Sequence, residues 1–476
     1  MSAAGPILLW LRRDFRLGDN PALAAAAATG RPVIPVFVRD PLVDALGAAP
    51  KWRLGRALGC FDHALQSVGS RLILRSGPAS EVLTGLAAET GADAIFWNRL
   101  YEAAPRDRDT ALKAALKQRG LEAKSFAGTL LAEPWEIATG QGGPYRVFTP
   151  FWKALRARGA AAPAPTPATL AAPPRWPGSE ALEDWQLGTA MRRGGEVVAA
   201  HARIGEAAAE ERLAAFLDGP VDDYGADRDR IDRDGTSGLG AHLALGEIGI
   251  RRLWQAGLAA RAQGRQGAEA FLRQLAWRDF AHHLAFHTPA LLTGNWRADW
   301  DGFPWDDTPD RPEVLAWKQG RTGVPLVDAG MREMQVTGTM HNRARMVAAS
   351  YLTKHLLAHW RIGLHWFEDH LVDWDPANNA MGWQWVAGSG PDAAPFFRIF
   401  NPETQRARFD PDGAYVRRWI AEGQADPPET ALAFFRAVPQ RWGLGPGDSY
   451  PAKPVVALDV GRKRALDAYQ RFKQDA

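Results

Sequence analysis

One cysteine, Cys60, is all the thiol that this chain of 476 residues carries. A single thiol excludes an internal disulfide, a cysteine zinc site and an iron–sulfur cluster. It also makes the reducing cytoplasm the expected compartment. Long apolar runs are missing too. No stretch of about 18 apolar residues occurs, which argues against a membrane helix. Met1–Pro6 has no basic n-region, and Ile7–Leu11 is too short for the apolar core of a signal peptide. Charge of one sign is scarce: 57 Lys and Arg against 54 Asp and Glu leave a net +3. A nucleic-acid surface must then be a local patch rather than a property of the whole chain. The G-x-G-x-x-G fingerprint is absent after the first apolar run, so no nicotinamide site is assigned there.

What the chain has in excess is tryptophan, 20 residues, most of them after Trp254. Large aromatic side chains fill a helical core well, and they also serve base stacking and electron transfer. The length calls for two domains. In the first third, strand-like runs (Pro6–Leu11, Val33–Val38, Arg71–Leu74, Ala94–Trp97) alternate with helical patterns (Ala22–Ala28, Trp52–Ser67, Ala79–Glu89, Asp107–Arg119). That alternation predicts an α/β domain with a doubly wound parallel sheet over 1–130. A connector follows over 131–202, and its Ala- and Pro-rich part, Arg158–Arg175, reads as an exposed linker. The pattern over 203–476 is helical almost throughout, with candidates at Glu206–Leu217, Ile248–Ala262, Ala268–His287, Pro312–Gln319, Pro325–Gly338, Asn342–Ile362 and Trp366–Leu371. The fold class is thus an α/β domain joined to a larger all-α domain.

Four constellations carry chemistry. Gly235-Thr236-Ser237-Gly238-Leu239-Gly240 precedes a helix; glycines let a backbone approach an anion, and a helix N-terminus favours negative charge. Taken alone, this is more simply an ordinary loop. Gln274, Trp277 and Arg278 stand at i, i+3 and i+4, so an amide, an indole and a guanidinium share one helix face. Asn342, Arg343 and Met346 stand at a helix start and suit a polar ligand with one soft apolar contact. The fourth, Asp373-Trp374-Asp375-Pro376-Ala377-Asn378-Asn379-Ala380-Met381-Gly382-Trp383-Gln384-Trp385, packs acids, amides and indoles more densely than a core requires. On a helix, Trp383 and Trp385 point roughly 200° apart. No histidine stands at ligand spacing beside the acids, so no metal is expected.

Together these motifs resemble the DNA photolyase and cryptochrome family, most closely a bacterial cyclobutane pyrimidine dimer photolyase. Trp10-Leu11-Arg12-Arg13-Asp14-Phe15-Arg16-Leu17-Gly18-Asp19-Asn20-Pro21 is similar to the family's opening strand and loop, and Trp383-Gln384-Trp385 through Phe397-Arg398-Ile399-Phe400-Asn401-Pro402 to its most recognisable stretch. The resemblance implies a flavoenzyme with FAD in the helical domain. Tyr224, Thr236, Ser237, Gly238, Leu239 and Gly240 would line its phosphate side, although many relatives have Arg where Gly238 stands and Ser where Gly240 stands. Arg278, Asn342, Asp373 and Asp375 would contact the rest, with Arg345 paired to Asp373. Asn379 would sit beside flavin N5, and Trp383, Trp360 and Trp305 would carry electrons inward from the surface. Gln274, Trp277, Asn342, Arg343, Met346 and Trp385 match the cavity for a flipped lesion. Arg228 and Arg398, with Arg230, Arg233 and Arg406, would contact phosphates. Gln274 departs from the pattern: cyclobutane-dimer enzymes of this type have Glu there, and (6-4) enzymes often have Gln. The segment Trp97-Asn98-Arg99-Leu100-Tyr101-Glu102 resembles the region near an antenna, methenyltetrahydrofolate or 8-hydroxy-5-deazaflavin, whose identity the sequence leaves open. The implied activity is light-driven repair of cyclobutane dimers in UV-damaged DNA by a cytoplasmic monomer. The rivals are a (6-4) photolyase and a cryptochrome photoreceptor without repair. Asn379 and the retained cavity favour repair.

Overall fold

A computed structural model describes residues 5–392 and 397–475. Positions 393–396, inside the last resemblance stretch, and positions 1–4 lie outside the described residues. Five parallel strands form one sheet in the order β3-β2-β1-β4-β5: β1 Ile7–Leu11, β2 Val33–Arg39, β3 Ile73–Ser76, β4 Ala94–Asn98 and β5 Glu122–Phe126. Strands β1, β2 and β4 are nearly continuous apolar runs, as a parallel sheet covered on both faces demands. One face buries Leu9, Leu11, Phe15 and Phe37 against α1 (Pro21–Ala27) and α2 (Ala48–Ser67). The other buries Leu8, Trp10, Val36 and Trp97 against α3 (Ala79–Thr90) and α4 (Ala103–Gln118).

The expected strand at Arg71–Leu74 is displaced to Ile73–Ser76, because its pairing with Val36–Arg39 runs past the apolar residues. Strand β5 has no counterpart among the sequence expectations. It is an edge strand, Glu-Ala-Lys-Ser-Phe, with too few apolar residues to stand out. The stretch Arg158–Arg175 is mostly exposed after α5 (Phe148–Arg158), but it is not a free tether. Ala164 N–H donates to the Asp19 carboxylate, Leu170 N–H to the Val68 carbonyl, and the Ala171 carbonyl accepts from Val33.

The rest is helical. Helix α6 (Glu206–Asp218), α7 (Ile250–Ala262) and α8 (Ala268–His287) share a core with Phe148, Phe151 and Trp152 of α5. Helix α9 (Pro325–Thr337), α10 (Asn342–Ser350), α11 (Trp360–His370), α12 (Pro376–Ala387) and the terminal α13 (Leu458–Asp475) surround a second. The single helix expected over Asn342–Ile362 does not form. After α10 the backbone widens into a π turn at Tyr351–His355, Leu357 takes a left-handed φ of 48°, and α11 starts afresh on a His359 cap. The break sets Trp360 at the start of α11. No helix among the described residues is long and apolar enough to cross a membrane.

Candidate active site

Helices α8, α10 and α12, with Phe367 of α11, converge on one cavity of about 450 Å3. Helix α8 has no proline or glycine inside it and stops where Thr288 precedes Pro289. From it Gln274, Trp277 and Arg278 reach the cavity together, as their spacing requires. Trp277 is held from behind: Phe148 lies flat on its outer face, ring centroids 3.7 Å apart and planes within 8°. Arg278 donates to the Thr129 carbonyl at 2.9 Å.

Helix α10 begins on His341, whose Nδ1 accepts from Arg343 N–H at 3.1 Å. Its first turns bring Asn342, Arg343, Arg345 and Met346 to the cavity. Arg343 pairs with Asp229 at 2.8 Å and Arg345 with Asp373 at 2.7 Å. Helix α12 has an Asp375 N-cap and Pro376 at its first position, a strong start signal. Asp375 accepts from Asn378 N–H at 2.9 Å and meets His282 Nε2 at 2.9 Å. Burial alone would raise its pKa; His282, Arg278 and Arg13 overcome that and hold the carboxyl well below the usual range. One turn later Asn379 donates from Nδ2 to the Leu364 carbonyl at 3.1 Å, which orients its amide.

Trp383 and Trp385 both line the cavity although they stand two apart. Trp383 is buried and meets Phe367 edge-on at 4.9 Å; Trp385 is half-buried and donates to the Asp392 carbonyl at 3.1 Å. Behind Trp383, the chain comes close at Gly363, where any Cβ would overlap the indole. Trp360 is fully buried and donates to Asn295 Oδ1 at 2.8 Å. His359 bridges it to Trp305, with ring centroids at 5.5 and 5.3 Å. Trp360 and Trp305 thus lie outside the cavity.

The glycine-rich segment is only partly brought to the cavity. Gly240 stands against Asp373: a Cβ there would come 3.2 Å from Oδ2. Thr236 and Ser237 offer their carbonyls to Arg212, each at 2.7 Å, and Gly238, at φ 64°, leaves no room for a side chain beside that guanidinium. Leu239 is buried, and Tyr224 is buried against Phe216 and Phe271. Arg228 lines the cavity, whereas Arg398 lies over the Trp385 ring at 5.5 Å. Arg230 is paired with Asp232 and Arg233 with Asp227. Phe148, Asp229, Phe367, Trp374 and Asn378 were not singled out from sequence. Trp374 and Asn378 lay inside a motif; Phe148 carried no local signal.

A second cavity of about 230 Å3 opens at the carboxyl ends of β1, β2 and β4. Trp10, Arg12, Arg13, Phe37, Asp40 and Glu102 line it. It sits where the strand order reverses, the usual ligand crevice of such a sheet. Arg13 and Glu102 are paired at 2.5 Å, and Trp374 lines both cavities.

The donor set of the larger cavity suits a large heterocyclic cofactor. Asp373 Oδ1, Trp374 Nε1 and Trp383 Nε1 are buried without partners, and acids, arginines and a fixed amide converge around them. A parallel α/β sheet joined to a helical domain with such a cavity defines a cofactor-dependent protein of two-domain build. Comparison specifies it further. Residues 7–170 match the DNA photolyase family model, and residues 271–471 match the FAD binding domain of DNA photolyase. A deoxyribodipyrimidine photo-lyase of Agrobacterium fabrum is 44% identical over 98% of each chain. The crystal structure of a bacterial class III photolyase from Agrobacterium tumefaciens superposes with a TM-score of 0.90 at 43% identity, covering 100% of this chain and 99% of that one. Cryptochrome-2 of Arabidopsis thaliana is 33% identical over 98% of this chain and 79% of its own length. The chain belongs to the DNA photolyase and cryptochrome family, and its cofactor is FAD.

Proposed function

We propose that the protein is a deoxyribodipyrimidine photo-lyase that splits cyclobutane pyrimidine dimers in UV-damaged DNA. The observation that carries this reading is one cavity lined both by the indoles of Trp277 and Trp385 and by a polar set, Asp373, Asp375 and Asn379. A lesion flipped from the duplex, at a cost of about a few kcal/mol, would stack between the indoles. The Gln274 and Asn342 amides would then meet its carbonyl and imide edges. Arg228 and Arg343 would draw in the phosphates, and Arg398 would extend that basic rim.

Arg278, Arg345, Asp373, Asp375 and Asn379 would hold FAD, which in its reduced form would supply the photoexcited electron for opening the cyclobutane ring. The chain binds, orients and shields. Arg345 fixes Asp373 in place, and His282 and Arg278 keep Asp375 ionised. Asn379, its nitrogen tied to Leu364, keeps its oxygen to accept a ring N–H without supplying a proton. Gly240 and the backbone of Thr236–Leu239, beside buried Tyr224, would cradle the phosphates. Trp383, Trp360 and Trp305 would bring electrons inward. The smaller cavity would hold the antenna, a folate or a deazaflavin, with Trp374 as the shared wall. The chain would act as a cytoplasmic monomer.

The test is a repair assay. Photoreduced protein is mixed with oligonucleotides bearing a cyclobutane dimer or a (6-4) photoproduct, in light and in dark. Light-dependent recovery of thymines from the cyclobutane substrate alone is expected. Repair of only the (6-4) lesion would assign that specificity to Gln274. Repair of neither, with flavin bound and reducible, would make the protein a photoreceptor.

A further inference from the structure

Asp392 is half-buried at the end of the turn that follows α12, and its backbone takes a φ of 52°. A non-glycine residue enters this left-handed region at a cost, and stays there where its surroundings force it. Here they do. Gly390 N–H donates to the Gln384 carbonyl at 3.0 Å, and the Gln384 side chain is pinned inside the helical domain. Its amide donates to the Leu291 and Gly294 carbonyls at 2.7 and 2.8 Å and accepts from Trp296 N–H at 2.7 Å. The turn is thereby tied to α12 and to segment 291–296, and Asp392 is held in a fixed place.

From there Asp392 supports both indoles that line the large cavity. Its carbonyl accepts from Trp385 Nε1 at 3.1 Å. Its carboxylate meets the Phe148 N–H at the start of α5, and this contact works against the rise in pKa that burial causes. The N-cap residue of α5 is Val147, which has no side-chain acceptor to offer. Phe148 N–H is one of the donors that a helix start leaves unpaired, and Asp392 serves it from a distant part of the chain. Phe148 in turn lies flat on Trp277.

We propose that Asp392 is a positioning residue that holds the indoles of Trp277 and Trp385 at the separation a flipped dimer needs. The proposal rests on the reading of this cavity as the lesion site. The two indoles stand on separate helices, α8 and α12, and Asp392 couples them with one acceptor each way. Their separation matters because a gap of about 0.5–1 Å forfeits a quarter to a half of the dispersion attraction across it. Aspartate suits the position: its side chain is short, it accepts from a backbone N–H, and it tolerates the left-handed backbone better than most residues.

Equilibrium binding of duplex oligonucleotides, with and without one cyclobutane thymine dimer, to the FAD-loaded protein tests this. Asp392→Gly fits the left-handed backbone, keeps the carbonyl that holds Trp385 and removes only the carboxylate. It is expected to weaken binding of the dimer-bearing duplex by about 2- to 10-fold, the range that one hydrogen bond commands, with FAD content and binding of the intact duplex unchanged. Asp392→Asn keeps an acceptor and tolerates the same φ, so it should bind the dimer as wild type does. In the double variant Asp392→Gly, Phe148→Ala the two losses should not add, because the carboxylate works through Phe148. Wild-type affinity in Asp392→Gly overturns the proposal, as do additive losses or an Asn variant as weak as the Gly one. Loss of FAD or of intact-duplex binding in Asp392→Gly also overturns it, since the carboxylate would then support the fold at large. A wild type with no preference for the dimer-bearing duplex overturns the lesion-site reading itself, and the positioning role with it.

Discussion

Trp277 has one face to spend on a ligand, because Phe148 occupies the other. Stacking on an aromatic platform is worth roughly 1–3 kcal/mol per base, so Trp277→Ala should weaken binding of a dimer-bearing oligonucleotide by roughly 5- to 150-fold. Phe148→Ala removes only the backing. It should weaken the same binding less, and fluorescence titration of both variants checks the order; equal losses would mean that Phe148 contacts the lesion itself. Gly363 is a second residue whose role is contact. A Cβ there meets the Trp383 indole, so Gly363→Ala should destabilise the protein by about 1–3 kcal/mol, the usual penalty for overpacking, read from chemical unfolding. An unchanged unfolding midpoint would show that the indole has room to shift. The i, i+3, i+4 spacing on α8 made Gln274, Trp277 and Arg278 legible as one face. Phe148 and Gly363 were not legible, because their meaning lies in partners far along the chain.

The helices that carry the site start on unusual caps. Helix α10 starts on His341 and α11 on His359, and in both the imidazole Nδ1 accepts from the N–H two residues on, at 3.1 Å. Such a bond satisfies one of the orphan donors of a helix start. Histidine is not a residue that sequence rules place at an N-cap, which is one reason the break before α11 was invisible and Asn342–Ile362 read as a single helix. The π turn and the left-handed Leu357 have no sequence signature either. Conversely, α8 announced itself through its uninterrupted helical composition, whereas α12 was not among the expected helices although Asp375-Pro376 is a strong start signal. Replacing His341 by Ala should cost about 1 kcal/mol, and His341→Asn, which restores an acceptor, should recover most of it. Urea unfolding of the three proteins measures this. If Asn is as destabilising as Ala, the histidine acts through packing and not through the cap.

For the molecule as a whole, the helical half holds groups that resist acid poorly. Burial pushes His283, His341 and His355 each down to about 4, whereas in the unfolded chain they titrate near 6.5. Between those values the unfolded state binds three more protons than the native one at these sites, so falling pH favours unfolding. Asp279 works in the opposite sense. Burial raises its carboxyl to about 6, above an unfolded value near 3.9, so over most of the same window the native state holds one proton more. Three histidines against one aspartate leave about two protons in favour of the unfolded chain, and each is worth about 1.4 kcal/mol per pH unit. Stability should therefore drop steeply from pH 6 to pH 4. The broken His341 cap adds to the loss at the lower end, where the ring protonates in the native state. The α/β sheet contributes none of these four groups, so the acid-sensitive part is the half that carries the site. Unfolding midpoints in urea at pH 7, 6, 5 and 4 measure the slope. His355→Gln should flatten it by about one proton. A flat profile for the wild type would mean that the buried imidazoles are protonated without loss of the fold, and the argument from burial would fail.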